Sequence, residues 1–363
     1  QKFYKMIFNY EPQITEKDKD SIAGCITAGI ATPSVITSFN NELTNVLQVP
    51  TVCCSSGTSA LHVALLSLGL SKNDEIICPS ISFASTWNVI EYIGATPIIC
   101  DISPTTWCID PDEIEAHITP RTKALISVDL YGNPCNYDKL IKICKKYDLK
   151  LIIDGAQSLG SLYDNLPCAT YGDVACTSFN LNKIITSCGG GSFSSPNSDR
   201  LATASSLINQ CKLQSGYDYH DVGYNYRLNS INAALGLSQL KRLKDILKQK
   251  KQIYGAYSQR LKDYVSLQET TPLGSPNYWM VIIRLDTSRQ QTNIEKILVK
   301  NNIECKTVFK PVTSLQWFRQ KYGRIPSPHG ESFYSGALSL PCGLGVTDSQ
   351  IDNICSLIIK NLT

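Results

Sequence analysis

Apolar positions through the middle of the chain follow two alternating rhythms. Short β-rich runs stand at Thr51–Cys54, Glu75–Cys78, Thr96–Cys100, Lys123–Val128 and Leu151–Asp154. Between them, Ser59–Leu68, Ala84–Ile93 and Tyr137–Tyr147 carry apolar residues at three- and four-residue spacing, which predicts helices. Strands that alternate with helices predict an α/β architecture, a mostly parallel sheet covered by helices with right-handed crossovers.

Two more strands are predicted at Asp173–Phe179 and Gly191–Ser194, after which the texture changes. Ile231, Leu235, Leu240, Leu243 and Leu247 read as one long amphipathic connecting helix. Beyond it, Asn277–Leu285 reads as a strand, and Asn293–Lys300 and Ile351–Ile359 as helices, the outline of a smaller α+β unit. The expected division is a large domain at 1–240 and a small one at 241–363, with the N-terminal segment packing on the small one. Lys306–Leu340, with Pro311, Pro326 and Pro328, is the least regular stretch, and loops of this kind often line clefts.

Composition narrows the class. With 363 residues and 43% hydrophobic content the chain can bury a large core, and its net charge of +3 argues against an electrostatic nucleic-acid footprint. The one dense basic stretch, Lys248, Lys250 and Lys251, reads as a solvated helix face. Fifteen cysteines, an odd count without a Cys-x-x-Cys pair, include Cys53, Cys78, Cys100 and Cys176 in apolar runs, so buried free thiols in a reducing, cytoplasmic setting are expected. His62, His117 and His220 form no metal set, and no metal is expected. The Asn361-Leu362-Thr363 sequon reads as chance. Lys2, Lys5 and Glu11 precede no signal-peptide core, and no apolar run reaches the roughly 18 residues needed to span a bilayer, so no membrane association is expected.

The chemistry gathers at loops that follow strands. Lys183 ends Ser178-Phe179-Asn180-Leu181-Asn182-Lys183, ahead of Gly189-Gly190-Gly191, and follows Leu151-Ile152-Ile153-Asp154-Gly155-Ala156-Gln157. An amine that condenses with an aldehyde needs a depressed pKa, and a carboxylate against a pyridine nitrogen keeps that ring protonated as an electron sink. Together the two segments follow the logic of pyridoxal phosphate. Asp154 closes a strand where open α/β sheets collect ligands, although an ordinary helix cap is the competing reading. Gln157 either completes that cap or reaches the ring's phenolic oxygen. Ser55-Ser56-Gly57-Thr58-Ser59 opens a helix, so the N–H groups of Thr58 and Ser59 point at an anion such as a phosphate, or the hydroxyls simply cap. Ser178 is placed to join that phosphate cup. Phe83 either stacks on a flat ring or packs in the core, and Trp87, one turn later, competes with it.

These motifs resemble one family along nearly the whole chain, the DegT/DnrJ/EryC1/StrS sugar aminotransferases, fold-type I pyridoxal-phosphate enzymes. The likeness runs through Ser56-Gly57-Thr58-Ser59-Ala60-Leu61-His62, Gly94-Ala95-Thr96-Pro97 before Asp101, Asp154-Gly155-Ala156-Gln157, Ser178 to Lys183, and Gly223-Tyr224-Asn225-Tyr226-Arg227-Leu228-Asn229. The resemblance implies a seven-stranded, mostly parallel sheet between helices, and pyridoxal 5'-phosphate alternating with pyridoxamine phosphate. It implies Lys183 as the lysine that holds the cofactor, Asp154 against the ring nitrogen, Gln157 at the phenolic oxygen and Phe83 on the ring. Gly57, Thr58, Ser59 and Ser178 would hold the phosphate, joined by Asn225 from the second subunit of a homodimer with shared sites. Lys183 argues against the family's dehydratase branch, which carries histidine there.

The implied reaction moves the amino group of L-glutamate to C4 of a nucleotide-linked 4-keto-6-deoxy sugar. Asn277-Tyr278-Trp279-Met280 and His220 to Tyr226 resemble bacillosamine- or legionaminic-acid-pathway members, which points to UDP as the carrier. C3 amination, dTDP or GDP carriers, and a catalytically silent pyridoxal-phosphate-fold sensor are the alternatives. Where the family usually has Arg and then aromatic-x-Pro-Leu-His, this chain has Cys305-Lys306-Thr307-Val308-Phe309-Lys310-Pro311-Val312-Thr313. That departure leaves the sugar contacts open between Trp87, Lys310, Trp317 and His329 as ligands and the same residues as scaffold.

Overall fold

The computed structural model describes residues 6–29, 33–213 and 216–362; Lys2, Lys5 and Thr363 lie outside the described residues. Seven strands build the main sheet: β1 Thr51–Cys54, β2 Glu75–Pro79, β3 Thr96–Cys100, β4 Thr122–Val128, β5 Lys150–Asp154, β6 Val174–Ser178 and β7 Gly191–Ser194. Their spatial order is β1-β7-β6-β5-β4-β2-β3, and β7 alone runs against the rest. The strands are almost wholly buried, as expected where helices cover both faces.

Helices α1 (Glu16–Thr27) and α2 (Pro33–Leu47) precede β1; α3 (Gly57–Ser67) follows β1 and α4 (Ser85–Tyr92) follows β2, so the N-termini of α3 and α4 sit at the carboxyl edge of the sheet. That edge also carries Asp154 at the end of β5 and Ser178 at the end of β6. Register does the fine placement: Gly191 of β7 pairs with Cys54 on one side and with Ser178 on the other, which draws the α3 entry against the end of β6. Only glycine fits at Gly191, because a Cβ there would stand 2.5 Å from the Gly57 nitrogen.

A second, four-stranded antiparallel sheet orders Ser266–Leu267, Val281–Arg284, Ala337–Leu340 and Lys306–Thr307. Helices Ser288–Lys300 and Asp348–Lys360 supply Ile294, Leu298, Ile351, Ile354 and Ile358 to its core, where they meet Val281, Ile283, Leu338 and Leu340. The N-terminal segment joins this unit: Ile7 bridges Ile303, and the Asn9 amide donates to the Ser339 carbonyl at 2.9 Å.

Three expectations are corrected. The connecting helix is two helices, Ser230–Leu240 and Leu243–Leu261. Leu235 and Leu240 both sit in the first, and the break follows Leu240, where Arg242 turns its guanidinium to Asp18 and the Gln13 carbonyl. Lys250 is no part of a solvated face: it is 1% exposed and donates to the Cys342 carbonyl at 2.6 Å. The supposedly irregular 306–340 stretch contains helices Gln316–Tyr322 and Pro328–Gly336 besides two strands.

The strand expected at Asn277–Leu285 begins only at Val281. Before it, Asn277 uses its side-chain NH2 on the Gln157 and Leu159 carbonyls, and Tyr278 takes a positive φ of 54°, which turns the segment toward the main sheet. All fifteen cysteines are free thiols, and no described helix is long and apolar enough to cross a membrane.

Candidate active site

A cavity of about 270 Å3 opens at the carboxyl edge of the main sheet, lined by Gly57, Thr58, Phe83, Asp154, Gln157, Ser178 and Lys183 among others. A larger, open hollow of about 490 Å3 at Arg319, Arg324 and Glu331 holds neither Lys183 nor Asp154.

Asp154 is buried. Its Oδ2 accepts from the Thr86 hydroxyl at 2.7 Å and its Oδ1 from the Ala156 N–H at 3.2 Å. Thr86 shares a second hydrogen bond with the Ser82 hydroxyl at 2.7 Å, so a short hydroxyl chain holds the carboxylate's orientation. Burial pushes the Asp154 carboxyl above its ordinary range, while Thr86, Ala156 and the charge of Lys183 pull against that rise.

Lys183 shows the complementary effect. Burial depresses its amine to about 8, against the opposing pull of Asp154. Desolvation therefore outweighs mutual attraction at both groups, which is the condition of a carboxylate and an amine held in the dry end of a cavity. Nζ stands 4.2 Å from the centroid of the Trp279 ring, and the Lys183 carbonyl accepts from the Tyr10 hydroxyl at 2.6 Å. The indole N–H of Trp279 donates to the Asn182 carbonyl, tying the two loops together.

Gln157 has one end committed. Its Oε1 accepts from the Tyr131 N–H at 2.7 Å, so its NH2 is the end left to donate into the cavity. Tyr131 does this from a left-handed backbone conformation, φ 56°, and its ring stacks on Phe309 at 5.5 Å and 10°. Phe83 is 58% exposed and meets Phe309 edge to face at 6.0 Å.

At the α3 entry, a Cβ on Gly57 would come within 2.9 Å of Ser178 Cβ, so the bare glycine lets the helix N-terminus sit against Ser178. Thr58 shares a hydrogen bond with the Ser85 hydroxyl at 2.7 Å. As a first-turn residue, it has no carbonyl within the helix to take its N–H, leaving a donor for an anion. Ser59 departs from expectation: Ser56 Oγ already caps its N–H at 3.0 Å, and its hydroxyl bonds Ser55 and Ser56.

The residues expected at the sugar end are not brought together. Trp87 is 2% exposed in the core, with its indole N–H on the Pro79 carbonyl at 3.1 Å, because it faces inward from α4. Lys310 is exposed, Trp317 packs edge-on against Phe318, and His329 gives its backbone N–H to Asp101; none of the three lines the cavity. Asn225 is also exposed and outside the lining, on a stretch bridged through Asn209.

Sequence reasoning missed Trp279, Phe309, Tyr131 and Thr86. The Asn277–Met280 segment was legible as distinctive but read as strand. Phe309 lay within the stretch expected to line a cleft, so its neighbourhood was signalled although the residue was not.

Replacing Thr86 by valine keeps the shape and deletes the donor to Asp154. We expect turnover to fall at least about tenfold with little change in KM, since one charge-assisted hydrogen bond is worth about 1.5–3 kcal/mol and a tenfold change about 1.4 kcal/mol. Steady-state kinetics of the variant check this; an unchanged kcat would remove Thr86 from the site's support.

The model of the DegT/DnrJ/EryC1/StrS aminotransferase family matches residues 12–359. GDP-perosamine synthase of Escherichia coli O157:H7 is 33% identical over 98% of this chain and 98% of its own. The UDP-2-acetamido-2-deoxy-3-oxo-D-glucuronate aminotransferase of Pseudomonas aeruginosa is 36% identical over 58% of this chain and 59% of its own. Among solved structures, the PLP-form of Spr1654 from Streptococcus pneumoniae superposes with a TM-score of 0.92 at 26% identity, covering 98% of this chain and 99% of the other.

Proposed function

This chain belongs to the DegT/DnrJ/EryC1/StrS aminotransferase family and uses pyridoxal 5'-phosphate, and from that premise we propose that it moves the amino group of L-glutamate to C4 of a nucleotide-linked 4-keto-6-deoxy sugar. The observation that carries the proposal is the pairing of Lys183 with the buried Asp154 in one cavity beside the α3 N-terminus.

The donor set fits the cofactor. Asp154 offers a buried carboxylate to a protonated ring nitrogen, Lys183 an amine that is partly neutral near pH 8, and Gln157 an NH2 to the phenolic oxygen. Thr58, Ser178 and the turn at Gly57 offer the phosphate its donors. Ser59 acts behind them by holding Ser56 in the cap. Phe83 offers a ring face at the cavity mouth. When bound, pyridoxal phosphate supplies an aldehyde for covalent attachment of an amine and a ring that accepts the electron pair of a broken Cα–H bond.

The chain's own residues do the rest. Lys183 would hold the cofactor covalently; once glutamate displaces it, its freed Nζ would take the proton from the donor's Cα and pass it to the cofactor, which keeps the amino group as 2-oxoglutarate leaves. The same nitrogen serves the ketosugar in the reverse direction. Asp154 keeps the ring nitrogen protonated, and Thr86 keeps Asp154 oriented. Trp279, Tyr131 and Phe309 form an aromatic wall that limits water at Nζ.

Asn225 fits a role across a subunit boundary, because its own chain leaves it exposed. The proposal therefore includes a homodimer in which each copy completes the other's phosphate site. A cytoplasmic setting belongs to it as well, in keeping with fifteen free thiols.

For the nucleotide, the Asn277–Met280 and His220–Tyr226 texture supports UDP. The full-length likeness to a protein named GDP-perosamine synthase supports guanosine as a second reading. Incubating the holoenzyme with glutamate and a panel of UDP-, GDP- and dTDP-linked 4-ketosugars, then measuring 2-oxoglutarate and locating the new amine by NMR, tests both. We expect turnover with a 4-keto acceptor and an amine at C4. Turnover confined to 3-keto acceptors would overturn the regiochemistry, and no 2-oxoglutarate with any acceptor would overturn amino transfer.

A further inference from the structure

At the end of β3, the edge strand of the main sheet, and outside the residues that line the cavity, one other cluster of potential ligands converges. Cys100 ends β3, and the connection to β4 turns back over it through the helical turns Pro111–Ile114 and Glu115–His117. Glu113 and His117, four residues apart, project from one side of those turns toward the Cys100 sulfur. A ligand atom from each of the three residues lies within 4.8 Å of the other two, and this is the only such group among the described residues.

We propose that Cys100, Glu113 and His117 bind a zinc ion, with water as the fourth ligand. Thiolate, imidazole and carboxylate are zinc's usual donors, whereas sulfur and nitrogen donors disfavour magnesium and calcium. Tetrahedral zinc, with bonds of about 2.0–2.3 Å, holds its ligand atoms roughly 3.3–3.8 Å apart. The sulfur is buried, Glu113 and His117 are half-buried, and their ligand atoms, within 4.8 Å of one another, lie close to that spacing.

One further observation points to a cation. Among the described residues, neither the Glu113 nor the His117 side chain has a hydrogen-bond or ion-pair partner, so nothing else holds them against the sulfur. On binding, the thiol proton leaves to solvent, and the 2+ charge balances thiolate and carboxylate.

The position gives the ion a structural role. Asp101, the next residue, accepts from Ser80 Oγ at 2.7 Å, from the His329 N–H at 2.8 Å and from the Gly330 N–H at 3.0 Å, and so clamps helix Pro328–Gly336 to the sheet. Zinc at Cys100 would anchor the strand end that carries this clamp.

The test uses the full-length, cofactor-loaded protein, stripped with a chelator and titrated with Co2+. Tetrahedral thiolate-bound cobalt gives visible d–d bands at longer wavelengths than the cofactor absorbs. We expect these bands to saturate at one equivalent per chain, to disappear on adding Zn2+, and to be absent from Cys100→Ser and His117→Ala. Cys188→Ser, which removes the exposed thiol, should keep them. Zinc should raise the melting temperature of the unsubstituted protein by about 2–4 °C and leave that of His117→Ala unmoved. No tetrahedral bands at equimolar cobalt, or bands unchanged in His117→Ala, would overturn the site. If Cys100→Ser fails to fold, His117→Ala, half-buried at the surface, decides.

Discussion

Alanine in place of Lys183 should abolish amino transfer, lowering glutamate-dependent 2-oxoglutarate formation by at least about 10^4-fold, because one nitrogen both attaches the cofactor and carries the proton. No other lysine lines the cavity among the described residues. The variant should stay folded, since it removes an amine whose burial already disfavours its charge. Borohydride reduction of the loaded wild-type protein should fix the cofactor on the peptide that contains Lys183. Retained turnover in the variant, or a label elsewhere, would end the assignment.

The depressed pKa makes this first prediction quantitative. With its amine at about 8 rather than 10.5, Lys183 is neutral roughly 300 times more often at pH 7 than an ordinary lysine. The neutral fraction grows as pH rises toward 8 and levels off above it. Capture of pyridoxal phosphate by the cofactor-free protein should therefore accelerate about tenfold per pH unit below 8 and flatten beyond, as stopped-flow absorbance would show. A capture rate that kept climbing to pH 10 would mean an unperturbed amine.

Asp154→Asn should keep the cofactor but lose about 10^2–10^3-fold in kcat. Asparagine preserves size and can still accept from Thr86, so binding survives. What disappears is the negative charge that keeps a ring nitrogen protonated while a carbanion forms next to it. Cofactor content by absorbance and single-turnover rates with glutamate separate these effects. Near-normal turnover would remove the electron-sink role, and loss of cofactor with normal residual activity per bound cofactor would make Asp154 a binding residue only. The loss expected for Thr86→Val should be a fraction of this effect, because Thr86 orients the charge without supplying it.

Lys183, Asp154, Gln157, Ser178, Thr58 and Gly57 were legible in the sequence because each sits at a strand end, at a helix start or in the loop just after a strand. Those positions are marked by local patterns: an apolar run that stops, a glycine, a hydroxyl. The alternation of runs likewise foretold the order of strands and helices in the main sheet. The substrate end was less legible. Trp87 has the same aromatic character as Phe83, but its helical phase turns it into the core, and Lys310, Trp317 and His329 are near the cavity in sequence without lining it. The break between Leu240 and Leu243 falls across a three-residue, helical spacing, so a continuous amphipathic reading passes over it.

What the sequence determined by itself was the architecture of the sheet and the residues at its carboxyl edge, because periodicity and turn chemistry act over a few neighbours. Only the tertiary structure decided which distant groups complete the site, Trp279 over Lys183, Phe309 against Tyr131 and Tyr131 on Gln157, and which meet elsewhere, as His117 does Cys100. These contacts depend on strand register and on loops folding back across the chain. Burial then tunes the chemistry, since the shifted titrations of Lys183 and Asp154 come from the low-polarity surroundings that the whole fold creates.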